Sequence, residues 1–178
     1  DYYQAENWEK FNLRIIPDNV TTDITVTVEA QEATSGLLKV VGDEALNYIT
    51  SLTLKGSINS YDFMLMRNKM PNLHYLDLTE TTVKANPYQF ITGCYTEDNR
   101  FPNSAFQSVN KLYAIKLPNS IKLVGKNAFS NCIQLKTVTV YNGVQRIDEA
   151  AFNYCPSLTN LDLPDGIVSK RKNAFRET

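Results

Sequence analysis

The sequence has little of what catalysis most often uses. It holds one histidine, His74, and three cysteines, Cys94, Cys132 and Cys155, in 178 residues. No G-x-S-x-G, H-E-x-x-H, Walker loop or paired C-x-x-C occurs. A zinc centre, or a histidine-activated serine or cysteine nucleophile, therefore has too few residues to draw on. Charge of one sign is also lacking. Lys and Arg number 18 against 19 Asp and Glu, for a formal net charge of −1, so no global field favours nucleic acid or anionic lipid. The one basic run, Lys170-Arg171-Lys172 with Arg176, reads as a solvated turn. No apolar run approaches the ~18 residues of a membrane span.

What is present is a period. Ala-Phe occurs at Ala105-Phe106, Ala128-Phe129, Ala151-Phe152 and Ala174-Phe175, and the step is constant (128−105 = 23). Leu112, Leu135 and Leu158 keep the same step, as do Ile115, Val138 and Leu161, then Leu117, Val140 and Leu163. Within one period Val138 and Val140 alternate with Thr137 and Thr139, a strand pattern. Pro118, Tyr141-Asn142-Gly143 and Pro164-Asp165-Gly166 read as the turns that follow three such strands. A period in the twenties with an L-x-x-L-x-L core is the signature of a leucine-rich solenoid. One turn of it cannot bury its own apolar side, so several must stack. Each repeat Phe is then expected on the Phe of the next turn, with Phe152 buried between Phe129 and Phe175.

The frame extends toward the N-terminus. Ile49, Leu52 and Leu54 give one strand and Leu73, Leu76 and Leu78 the next (73−49 = 24). Between them Asn59 and Asp62 form a capping-box pattern ahead of a helical face of Phe63, Met66 and Met70. The methionines read as core filler. ITVTV over 24–28 is a strand, and Leu37, Leu38, Val41, Ala45 and Tyr48 fit a short amphipathic helix. Together they would cap the open end of the array. The division expected is a tail or cap edge over 1–23, a cap over 24–48, and a solenoid over 49–178. Residues 79–100 form an insert (112−73 = 39, one period plus 16) rich in Tyr88, Phe90, Ile91 and Tyr95. So aromatic a segment either packs back on the solenoid or serves a partner.

The stretch LPNSIKLVGKNAFSNCIQLKTVTV followed by YNGVQRIDEAAFNYCPSLTNLDLP resembles the BspA-like leucine-rich repeats of bacterial cell-surface proteins. Pro-x-x-Ile/Val, Ala-Phe, Cys and Leu-x-x-Leu-x-Leu all fall at that family's positions over about 101–175, and more loosely back to about 46. The resemblance implies an α/β fold: a right-handed leucine-rich repeat solenoid with parallel concave strands. It implies a bacterial, extracellular or cell-surface location and a non-enzymatic binding module. The partner implied is a protein or glycoprotein, host extracellular matrix included. A structural spacer or envelope-assembly subunit, and a glycan-binding accessory domain, are the alternatives.

Individual residues follow from the frame. Cys132 and Cys155 occupy a slot that Val109 fills one period earlier, which marks it as a small apolar core position. A disulfide between them is geometrically conceivable at a strand spacing of ~4.8 Å. His74 stands where Thr50, Tyr113, Lys136 and Thr159 stand, so it reads as an ordinary exposed side chain. Asp77 and Asp162 share one outward position three strands apart, ~14 Å, too far for a glycosidase pair at roughly 5–9.5 Å. Glu97-Asp98-Asn99 matches no calcium loop. No catalytic residue, metal or cofactor is expected. The binding candidates are the outward concave positions and their flank: Tyr75, Asp77, Lys116, Thr137, Thr139, Tyr141, Asn160 and Asp162. Asp77 and Lys116, on adjacent strands, are placed to pair.

Overall fold

The computed structural model describes residues 22–178. Residues 1–21 lie outside the described residues; they include Tyr2, Tyr3, Trp8 and Phe11, and Asn19-Val20-Thr21, which matches the N-x-Thr glycosylation pattern. In chain order the elements are β1 (Thr22–Val28), α1 (Gly36–Val41), β2 (Ile49–Ile58), α2 (Ser60–Asn68), β3 (Tyr75–Val83), β4 (Asn86–Ile91), β5 (Cys94–Thr96), β6 (Arg100–Phe101), β7 (Ala114–Lys116), β8 (Leu123–Val124), β9 (Thr137–Thr139), β10 (Arg146–Ile147), β11 (Asn160–Asp162) and β12 (Ser169–Lys170).

A six-stranded parallel sheet runs β1-β2-β3-β7-β9-β11 along one side, and a four-stranded sheet β12-β10-β8-β6 runs along the other. Each polypeptide turn contributes one strand to the first sheet, and from β6 onward one to the second. The registers repeat without slippage over the last turns: Ile115 pairs with Val138 and Val138 with Leu161, while Val124 pairs with Ile147 and Ile147 with Lys170. Strand length changes along the array. β2 spans ten residues and β3 nine, but β7, β9 and β11 span three each.

The core between the sheets is a column of rings. Phe129 stacks on Phe152 at 5.2 Å and 6°, and Phe152 on Phe175 at 5.6 Å and 5°. Phe101 joins the same column, 5.2 Å from Phe129. Phe152 is fully buried, as its repeat position requires. Around each Ala-Phe the backbone turns through two left-handed residues. Ser104, Asn127, Ala150 and Asn173 form one column with φ of 51 to 57°, and Ser108, Asn131, Tyr154 and Glu177 a second with φ of 53 to 61°. These turns are bonded to one another: the amides of Phe106, Phe129 and Phe152 donate to the carbonyls of Ala128, Ala151 and Ala174 at 2.7 to 2.8 Å.

The Cys132 and Cys155 thiols are free and buried in this same layer. Cys132 Sγ donates to Phe106 O at 2.9 Å and Cys155 Sγ to Phe129 O at 3.0 Å, so each sulfur bonds along the array to the preceding turn. Burial pushes the Cys132 thiol up to about 12 and raises that of Cys155 as well.

The N-terminal part departs from the sequence expectations in three places. The strand at 24–28 lengthens to Thr22–Val28 and pairs with β2 in parallel, Thr25 opposite Thr53, so it joins the five repeat strands as the sixth strand of the first sheet. The helix expected to reach Tyr48 stops at Val41, because Gly42 takes φ 82° and its amide closes on Leu38 O at 2.8 Å. Residues 79–83 continue β3, so departure from the repeat begins at 84.

The inserted segment forms an antiparallel hairpin, β4 with β5, lying on α2. Its aromatics hold it there. Phe90 is buried 6.0 Å from Phe63, and Tyr88 stacks on Tyr61 at 4.1 Å. Ser60 and Thr96 exchange hydrogen bonds at their backbone and hydroxyl groups, all buried. The capping box of α2 is present as the sequence predicts, and Met66 and Met70 are core residues.

Candidate functional site

Parallel strands in register bring the outward side chains into two rows. One row runs Ser51, Tyr75, Ala114, Thr137, Asn160 and the next Thr53, Asp77, Lys116, Thr139, Asp162. Side chains alternate along a strand, so Leu52, Leu76, Ile115 and Val138 between the rows face the core and are buried. Most of the concave candidates named from the sequence thus share one surface. Ser51, Thr53, Tyr75, Asp77, Ala114, Lys116, Thr137 and Thr139 line an open depression in it. Asn160 and Asp162 sit one strand further, on β11, and do not line it.

Within the depression Lys116 Nζ lies 2.9 Å from Asp77 Oδ2. Asp77 Oδ1 accepts the Thr79 amide at 2.9 Å, an Asx turn that fixes the carboxylate. Partial burial works against the charge on Asp77. Its hydrogen bonds from Thr79 and the Lys116 ammonium prevail, and its carboxyl is held below the ordinary range. Bonding to Asp77 raises Lys116 in turn. The pair presents one acceptor and one donor side by side, and as an exposed ion pair it adds only about 0–1 kcal/mol to stability.

Tyr141 does not line the depression but is tied to β3. Its hydroxyl and that of Thr79 are 2.9 Å apart, 62 residues apart in sequence, so the phenol reaches from the end of β9 past β7 to β3. Next to Tyr75 in the chain, the structure corrects the reading of His74. It is half-buried and stacks flat on Tyr113, at 4.7 Å and 7°. Lys136 Nζ lies 5.8 Å from the centre of the same Tyr113 ring. His74, Tyr113 and Lys136 are repeat equivalents on successive turns, and the strand order puts His74 and Lys136 on opposite sides of Tyr113. Tyr75 meets Tyr113 edge to face at 6.2 Å and 81°, and remains 50% exposed. Sequence reasoning missed this cluster. The signal was in the frame: equivalent slots on adjacent turns lie one strand spacing apart, about 4.8 Å, so two rings there must stack.

Among the described residues no group of three or more His, Cys, Asp or Glu is placed to hold a metal ion. Asp77 and Asp162 stand on β3 and β11 with two strands between them. Glu97 is taken up by Arg100 at 3.1 Å, and Asp98 accepts the Ala85 amide at 2.8 Å. No described helix is long and apolar enough to cross a membrane.

Turns of 23 residues, parallel strands in register on one face and a buried ring column behind them define a leucine-rich repeat solenoid. The family model described as "BspA type Leucine rich repeat region (6 copies)" matches residues 99–178, and this segment is a BspA-type leucine-rich repeat array. Among solved structures, a leucine-rich repeat protein from Bacteroides ovatus ATCC 8483 is similar at 16% identity and TM-score 0.50, over 86% of this chain and 34% of its own. The chain thus spans about a third of that protein's length, and the likeness is one of fold. The T. pallidum leucine-rich repeat protein gives 17% identity and TM-score 0.44, over 93% of this chain and 84% of its own. A leucine-rich cell surface protein from Faecalibacterium prausnitzii A2-165 gives 18% and 0.43, over 92% and 49%. Comparison with curated proteins gives no match.

Proposed function

We propose that this chain is a non-enzymatic binding module, exported or displayed on a bacterial surface, that recognises a protein or glycoprotein through its concave face. The observation that carries this is the pair of in-register rows, which turns side chains from five polypeptide turns and the added strand β1 into one polar surface with Tyr75 half exposed at its centre. Tyrosine suits such a role because it offers a large contact area with one polar tip. The BspA-type match over 99–178 supports the surface location and the adhesive reading. In this reading the solenoid is right-handed, as parallel crossover connections are. Residues 24–48 serve as its end cap, and 49–178 form the repeat unit with the hairpin insert alongside.

The test begins with an unbiased screen against matrix proteins and glycans. Tyr75→Ala is then combined with Lys116→Glu, and an unchanged melting temperature is verified. Binding to the ligand returned by the screen should fall at least about tenfold, since one lost anchor of 1.4 kcal/mol has that effect. Undiminished affinity in the folded double variant would remove the site from the concave face.

A further inference from the structure

We propose that the concave depression is a pyranose subsite: it takes a single sugar ring of a glycan, stacked on Tyr75 and hydrogen-bonded by the Asp77–Lys116 pair. This rests on the reading of the concave face as the binding face and names the chemical class that fits there.

The ring comes first. Tyr113 has His74 flat against one face, at 4.7 Å, and the Lys136 ammonium on the side of the other, at 5.8 Å. With both faces covered, Tyr113 can meet Tyr75 only with its edge, which gives the 81° contact observed. One face of Tyr75 is therefore buttressed, and the half of its surface still exposed is the unbuttressed remainder. A tyrosine packed on a ring that is itself stacked is preorganised, and ordering it costs a ligand little.

The polar groups come next. Two residues along β3 from Tyr75 the Asp77 carboxylate is fixed by the Thr79 amide, with the Lys116 ammonium 2.9 Å away. An ionised acceptor beside an ionised donor suits adjacent hydroxyls of one ring, of which one donates and the other accepts. The floor beside Tyr75 is small, Ala114 and then Thr137, and Thr139 follows Lys116 in the second row. Leu52, Leu76 and Ile115 complete the lining between the two rows. A sugar presents a C–H face to an aromatic and an apolar floor, and hydroxyls at its rim to the ion pair and the threonines.

The experiment uses the whole chain with two kinds of probe. The first is a mixture of methyl β-galactopyranoside, methyl α-mannopyranoside and methyl β-N-acetylglucosaminide, read by saturation-transfer NMR. Transfer is expected to the C–H protons of one ring face. It should drop at least about tenfold in Tyr75→Ala and in Asp77→Asn, and persist in Tyr88→Ala, whose ring lies against α2 instead. No transfer to any of the three, or transfer that survives Tyr75→Ala, overturns the proposal. The second probe is immobilised fetuin, with and without its enzymatically removed glycan chains. Capture lost on deglycosylation and in Tyr75→Ala supports the subsite. Capture that survives deglycosylation but fails in Tyr75→Ala overturns the sugar subsite and leaves the concave-face reading standing. Capture indifferent to Tyr75→Ala overturns both.

Discussion

Ser35 Oγ donates to Asp62 Oδ1 at 2.6 Å across 27 residues of sequence, joining the N-termini of the two helices. The same carboxylate accepts the amides of Leu37 and Asn59, both at 2.9 Å, so one buried side chain caps α1 from outside and α2 from within. Removing it leaves several buried donors without an acceptor, at about 1–3 kcal/mol each. Asp62→Ala should therefore lower unfolding stability by at least about 3 kcal/mol in a urea titration.

Asp62 also sets a pH signature. Burial outweighs its hydrogen bonds and raises its carboxyl above the ordinary value. The folded chain thus holds this proton more tightly than the unfolded one, and the contribution falls as pH rises through the folded value. Relative to Asp62→Asn, the natural chain should gain stability as pH drops from 7 toward 4. A constant difference between the two denaturation midpoints over that range would contradict this.

Phe152 lies between two parallel rings and is fully buried. Phe152→Ala should cost about 3–5 kcal/mol. Calorimetry should show the loss as a clear drop in melting temperature, and a barely shifted curve would refute the ring column.

Two thiols should stay silent. Cys132 and Cys155 are buried and their thiolates disfavoured, whereas Cys94 is partly exposed. A maleimide should leave Cys132 and Cys155 unmodified in the folded protein and label both in urea without reductant. A cross-linked Cys132–Cys155 peptide in mass spectrometry would contradict the free-thiol packing.

One substitution should stabilise. Ala150 takes φ 55° in a column where Asn127 and Asn173 occupy the neighbouring turns. Alanine resists this conformation by about 1–2 kcal/mol, and asparagine tolerates it better through its short polar side chain. Ala150→Asn should raise the melting temperature, by on the order of 0.5–1 kcal/mol in stability.

The repeat was legible because its core is a one-dimensional pattern. Ala-Phe every 23 residues locates Phe106, Phe129 and Phe152, and with them the Cys slot and the outward rows. The asparagines before Ala128 and Ala174 were a further signal for the left-handed turns, although Ser104 and Ala150 conceal it in the other two. What escaped was whatever broke the period. β1 pairs with β2 at Asp23–Ser51, an offset of 28 (51−23), so no search at 23 aligns it. The Thr79–Tyr141 bond spans two strand steps and depends on side-chain reach, which spacing does not encode.

Phe63 on α2 touches three rings from other parts of the chain: Phe90 of the hairpin at 6.0 Å, Phe101 of β6 at 5.6 Å and Phe106 of the first Ala-Phe turn at 6.1 Å. In a stacked array, free energy is passed from neighbour to neighbour, and a weak interface lets one end melt before the other. Here the helix-bearing turns and the 23-residue turns meet at their most aromatic junction, reinforced by Lys111, which donates to the Met66 and Arg67 carbonyls of α2 at 3.1 and 3.0 Å. The change of architecture is thus not a line of fracture, and heating should take both parts through a single transition.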